Sequence, residues 1–382
     1  MKRFIRIVIV VLLGVGAVAL YHQDRIARLL AVNSLFDADR ITHNFSNMDA
    51  AFLHEEVSRG DGPVSELPKG PPLSLTPEQQ DWVEQADVTA IVVLQNGKLR
   101  HESYYKDTTA EDRRISWSVA KSFISVLMGI ALDEGAIDSI DDPVTKYAPS
   151  LMDSAYAGAS IEDVLLMSSG VTFDEDYLDP SSDINKMGRV LALGRSMDAF
   201  TADLTETFQP AGSAWQYVSI DTHVLGMVLR GATGKSIPAL LSEKVIAPLG
   251  LEASPYYVTD GYGTAFVLGG LNMRTRDYAR FGQMVLQDGR YNGRQIVPAE
   301  WLRQSTVPLA KTKAGAIQYG YQWWIPADAQ EGEFMARGIY GQYIYINRNT
   351  QTVIALNGAH RGFREEGVFD RNMAVLRQLA TQ

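Results

Sequence analysis

Ser118 and Lys121 stand three positions apart in Ile115-Ser116-Trp117-Ser118-Val119-Ala120-Lys121-Ser122-Phe123. On a helix that spacing brings two side chains together on one face. A serine hydroxyl is a poor nucleophile until a base takes its proton. A lysine amine can be that base only if burial draws its pKa toward neutrality. The surroundings promise burial, because Phe123, Ile124, Val126, Leu127, Met128 and Ile130 follow, with a narrow polar stripe of Ser118, Lys121, Ser122 and Ser125. A buried, unpaired ammonium is costly, so Lys121 must pair or shed its proton. Ser118 falls in the first turn, where free N–H groups and the helix dipole favour developing negative charge. Ser-x-x-Lys also arises by chance, and a core helix with a snorkelling lysine fits the same residues.

Three other stretches carry candidate chemistry. Trp215-Gln216-Tyr217-Val218-Ser219 offers a phenol. Beside a lysine ammonium its pKa would be depressed and it could shuttle a proton; as an aromatic plug it would only pack. Arg337-Gly338-Ile339-Tyr340-Gly341-Gln342 introduces a strand whose glycines permit close approach of a ligand, or simply mark a bend. Phe173-Asp174-Glu175-Asp176-Tyr177 is acidic but has no histidine near it, so it reads as a solvated loop rather than a metal site. Neither metal nor other cofactor is expected. His223 is a second candidate base, but with a lysine at hand it reads as structural.

The elements that must position these groups follow from turn and cap signals. Thr76-Pro77-Glu78-Gln79 starts a helix with a capping box. Asn96-Gly97 between the runs Val88 to Leu94 and Lys98 to Tyr105 predicts a hairpin. The Ser118 helix then runs to about Glu134, with Gly135 as its stop. From there to about Gly250 the pattern is helical and loop-rich, with starts at Asp141-Asp142-Pro143 and Ser160-Ile161-Glu162-Asp163 and helical runs at Val224 to Gly231 and Ile237 to Leu249. Arg276 to Gln287 is a further amphipathic helix. A second hairpin spans Tyr340 to Asn347 and Gln351 to Asn357, and Asn372 to Leu379 is the last helix. Strands at both ends with helices between predict an α+β fold. Its sheet is antiparallel and flanked by helices, with an inserted, mainly helical subdomain, and a pocket is expected at the seam.

Composition narrows the function. The 382 residues carry a formal charge of −10, which argues against nucleic acid as a partner. There is no cysteine, which excludes disulfides and thiol nucleophiles. Met1-Lys2-Arg3 followed by the apolar run Phe4 to Leu20 reads as an export signal or an uncleaved membrane anchor. The rest of the chain would then lie outside the cytoplasm, periplasmic or tethered to the inner membrane. The expected divisions are 1–22 as signal or anchor, 23–75 as extension and linker, 76–134 with 255–382 as the sheet domain, and 135–254 as the helical subdomain.

Ser118-Val119-Ala120-Lys121, Tyr217-Val218-Ser219 and the Arg337-Gly338 strand resemble, in order and spacing, the motifs of the serine β-lactamase and penicillin-recognising family. Leu166-Met167-Ser168-Ser169-Gly170, Gly269-Gly270-Leu271-Asn272 and Gly338-Ile339-Tyr340-Gly341-Gln342 resemble its class C-like branch of esterases and 6-aminohexanoate-dimer hydrolases. The resemblance implies Ser118 as acylated nucleophile, Lys121 as base and Tyr217 as proton relay. It further implies an oxyanion hole from the backbone N–H groups of Ser118 and Ile339, with Tyr177, Ser219, Arg337 and Gly338 at the substrate. Ser219 stands where that family has Asn, and Ala336-Arg337-Gly338 where it has Lys-Thr-Gly. These departures weaken the expected grip on a β-lactam carboxylate and leave a small ester or amide as the expected substrate. A D,D-peptidase, a weak β-lactamase and a silent tethered binding protein are the alternatives.

Overall fold

The computed structural model describes residues 3–6, 23–177 and 179–382. Apart from residues 3–6, the expected export or anchor segment lies outside the described residues, among which no helix is long and apolar enough to cross a membrane.

The turn at Asn96-Gly97 is the mirror-image type that suits twisted hairpins, with φ of 51° and 71°. It joins β2 (Val88–Gln95) to β3 (Lys98–Tyr104). The other edge of β2 pairs antiparallel with β13 (Thr352–Gly358), so the two ends of the chain meet inside one sheet. Its full order is β3-β2-β13-β12-β11-β10-β9, with β12 at Gln342–Asn347, β11 at Glu333–Gly338, β10 at Trp324–Ile325 and β9 at Gln318–Tyr319. Helices cover both faces, which is why β2 and β13 read as continuous apolar runs. On one face Val93 and Tyr345 meet Trp82, Leu376 and Leu379 from the helices Pro77–Gln85 and Val368–Thr381. The Thr76–Gln79 capping box forms as expected. On the other face lies the helix Thr275–Leu286, whose Phe281 stacks on Phe123 of the Ser118 helix at 3.6 Å.

Among the described residues no strand lies between Ile115 and Tyr256. That stretch is helical, and its helix Asp221–Thr233 packs on the Ser118 helix. Two expectations there change. Asp141-Asp142-Pro143 yields only a short 3-10 turn, Val144–Lys146, and the Asp142 carboxylate accepts from Lys146 and Tyr147. The run Ile237 to Leu249 is interrupted by a wide turn at Ser242–Ile246, just before Pro248, which has no N–H to continue the ladder.

The largest departure concerns residues 34–57. The helix Gln23–Asn33 before them agrees with the short helix that the sequence marks at Asp24 to Asn33. Leu35, Ile41, Phe45, Met48, Phe52 and Val57 then enter the main core. β1 (His54–Glu56) pairs with β5 (Tyr256–Val258) in a small second sheet, completed by β6 (Leu271–Met273) and β4 (Arg114–Ile115). The segment is carried by helices of only four residues, Ile41–Asn44 and Met48–Ala51, too short to show a period. A minor hairpin, β7 (Arg290–Tyr291) and β8 (Arg294–Gln295), follows the Thr275–Leu286 helix.

Candidate active site

β4 leads into a 3-10 turn at Trp117–Val119, and the helix proper spans Ala120–Asp133. Trp117 takes φ of 44°, an unusual value for a bulky side chain. Its ring is held by Phe45 at 5.4 Å and Phe36 at 5.8 Å. This turn delivers Ser118 to the start of the helix, half-buried and facing a cavity.

Lys121 is 1% exposed. Its amine donates to the Leu268 carbonyl at 2.8 Å and lies 5.6 Å from the ring centre of Tyr217. Burial pulls its pKa down to about 7, against the opposing pull of Glu175 and then Asp221. Burial thus brings this amine to where it can release its proton near neutral pH. Ser122 and Ser125, on the same stripe, serve packing instead: Ser122 donates to the Gln322 carbonyl, and the Ser125 carbonyl accepts from Trp301.

The hydroxyls of Ser118 and Ser219 lie near the Tyr217 phenol, and each pulls its pKa down. Desolvation, with the Glu175 charge, raises the phenol pKa rather than depressing it. The expectation of a lowered value assumed that a neighbouring ammonium would dominate, but burial of the phenol outweighs it. The ring stacks on Trp324 at 5.1 Å, which fixes its plane.

The acidic stretch before Tyr177 is only partly a solvated loop. Glu175 turns inward and accepts from the Ser219 amide at 2.5 Å, the Ser219 hydroxyl at 3.1 Å and the Tyr177 hydroxyl at 3.1 Å. Desolvation raises its pKa. Asp221, at the start of the helix after Tyr217, is fully buried. One carboxylate oxygen accepts from Tyr156 at 2.7 Å and Ser169 at 2.8 Å, while burial raises its pKa to about 7. Neither acid was singled out from the sequence. Asp221 stands four residues after Tyr217, a helical spacing, but nothing local marks it as buried. Among the described residues no cluster of potential ligands could hold a metal ion.

The remaining expected residues divide. Gly338 ends β11 directly against Ser118, and a Cβ there would meet the Ser116 carbonyl oxygen at 2.7 Å. Ile339 follows and lines the same cavity as Ser118, Tyr177 and Ser219. Instead of opening a strand, Arg337 to Gln342 spans the end of β11 and the tight turn into β12, where Tyr340 has φ of 60° and Gly341 of 85°. Arg337 does not line the cavity; its guanidinium stacks on Phe369 at 4.4 Å and Trp324 at 5.7 Å. His223 bonds Asp198 at 2.8 Å beside Arg230, a structural cluster as expected.

The cavity has a volume of about 380 Å³, within the range of small-molecule sites. One wall comes from residues 32–52, the opposite one from the helix Asp183–Ala192.

A family model described as Beta-lactamase matches residues 79–376. The chain belongs to this family. It is 30% identical over 323 residues to the 6-aminohexanoate-dimer hydrolase of Paenarthrobacter ureafaciens, covering 81% of this chain and 80% of the relative. Among solved structures, “Putative 6-aminohexanoate-dimer hydrolase from Bacillus anthracis” superposes with a TM-score of 0.82 at 25% identity, over 91% of this chain and 95% of that one. The D-stereospecific amidohydrolase from Streptomyces shares the fold, with a TM-score of 0.58 at 18% identity over 74% and 94% of the two chains. This member of the family is a serine hydrolase of the amidase and esterase kind.

Proposed function

We propose that the protein cleaves a small ester or amide through an acyl-enzyme on Ser118. Neutral Lys121 takes the hydroxyl proton as the Ser118 oxygen bonds to the substrate carbonyl carbon. The carbonyl oxygen gains the charge and is received by the N–H groups of Ser118 and Ile339. Tyr217 gives its proton to the departing oxygen or nitrogen and takes the one held by Lys121; the carbonyl re-forms and the bond to the departing atom breaks. Water then repeats the sequence at the acyl carbon, frees the acid and restores the serine. The observation that carries this reading is the grouping of a desolvated lysine, pKa about 7, with a phenol near the candidate nucleophile. Glu175 holds Ser219 and Tyr177 in place around it.

A β-lactamase role has less support. Ala336 is buried in the core and Arg337 stacks on Phe369, so neither offers the cavity a cation for a carboxylate. The N-terminal charges and apolar run support export, with the site facing the periplasm. A fluorophosphonate probe tests the hydrolase reading: it should label the wild type and spare Ser118→Ala. A folded wild-type protein that stays unlabelled would refute it. A stable adduct with labelled penicillin would move the assignment to a D,D-peptidase.

A further inference from the structure

We infer that residues 32–52, which precede the family match, form the acyl-binding wall, and that the substrate carries a medium-length apolar acyl chain. This inference rests on the proposed acyl-enzyme reading and names its substrate class. From Ser118 the cavity extends between Leu35, Phe36, Met48 and Phe52 on one side and Ile184, Met187 and Leu191 on the other. Of these only Phe36 is exposed, at 37%; each of the others is at most 8% exposed. The wall is therefore set by core packing and is largely preformed, so little ordering is needed when a chain enters.

Several polar groups along the cavity are already engaged. Asn185 donates to the carbonyls of Tyr177 and Asp179, Arg189 to that of Pro180, and Ser219 is bound to Glu175. A polar chain would lose its water and find few partners, whereas an apolar one loses nothing. The volume of about 380 Å³ is more than twice the ~150 Å³ that accommodates benzene, so more than an acetyl group fits.

Direction follows from the chemistry. The leaving atom must lie beside Tyr217, and neither Tyr217 nor Lys121 lines this cavity, while Ser118 and Ile339 do. The part of the substrate that enters is the part that stays on the serine. Phe36 also stacks on Tyr340 at 5.2 Å, next to Ile339, so the same segment braces one oxyanion donor.

The test is a series of p-nitrophenyl esters from acetate to octanoate with one leaving group. Each buried methylene is worth roughly fourfold, so kcat/KM should rise at least about tenfold along the series. Ile184→Phe, which fills the cavity, and Phe36→Ala, which opens its wall, should each lower the octanoate-to-acetate ratio by about fivefold or more. Phe36→Ala removes an exposed ring and keeps the measurement available if the bulkier variant fails to fold. A wild type that turns over acetate as well as octanoate would overturn this inference and leave the acyl-enzyme standing. Equal loss on both esters in both variants would overturn it too. No acylation of Ser118 by any ester would sink the proposed function first, and this inference with it.

Discussion

A Cβ placed on Gly338 would lie 3.1 Å from the amide nitrogen of Ser118. Strand and turn therefore meet backbone to backbone, and only a residue without a side chain permits it. Gly338→Ala should push the strand away from the turn and separate the N–H groups of Ser118 and Ile339. A lost oxyanion donor costs roughly 10²- to 10³-fold in kcat, and that is the expected effect here. Steady-state kinetics checks it, with circular dichroism to confirm the fold. An alanine variant within threefold of the parent would remove this contact from the mechanism.

Lys121→Ala should slow acylation by roughly 10²- to 10⁴-fold, the usual contribution of a positioned base. Stopped-flow measurement of the p-nitrophenol burst reads that step directly. The variant leaves a cavity but also removes the cost of burying an amine, so it should stay folded, and an undiminished burst rate would assign the base elsewhere.

The pH dependence has a definite sign. Only the neutral amine can accept a proton, so kcat/KM should rise with pH through about 7. Glu175 is the larger of the two negative influences that hold the proton on Lys121. Glu175→Gln should move the rising limb to lower pH, and Asp221→Asn should move it the same way by less. A shift to higher pH in either variant would contradict this electrostatic assignment.

Tyr217→Phe separates the two substrate classes. p-Nitrophenolate leaves without being protonated, whereas an amine cannot. Loss of the hydroxyl should therefore cost an anilide substrate at least about tenfold more than the p-nitrophenyl ester, out of the 10²- to 10⁴-fold typical of acid catalysis. Matching losses on both would show the phenol acting at a stage other than departure.

Phe45 is fully buried between Trp117 and Tyr340. Phe45→Ala should destabilise the protein by about 3–5 kcal/mol in urea unfolding, the range for a buried ring. A surface extension would tolerate that change, so a variant as stable as the parent would return residues 23–75 to that status.

Elements with strong local signals were legible in the sequence. The Asn96-Gly97 turn and the Gly135 stop rest on a left-handed conformation that few residues adopt, and the Thr76 capping box on a side-chain pattern that few residues can make. The Ser118–Lys121–Tyr217 grouping was legible through spacing and resemblance. Glu175 was not, because its inward turn depends on the distant Ser219 amide. Phe36 and Phe45 were not, because their partners Trp117 and Tyr340 lie far along the chain and no helical period announces them. The direction of the Tyr217 shift was missed for a related reason: it is set first by burial of the phenol itself, which tertiary packing decides.

The placement of β2 beside β13 has a bearing on how the molecule is made. The early hairpin emerges from the ribosome some 260 residues before its central neighbour, as the register Val93–Ile354 shows. Pairing over such a sequence separation is slow, since a long loop must close before any contact rewards it. Synthesis therefore runs nearly to its end before the sheet can be completed, and loss of even the last strand would cut the first hairpin off from the rest of the sheet.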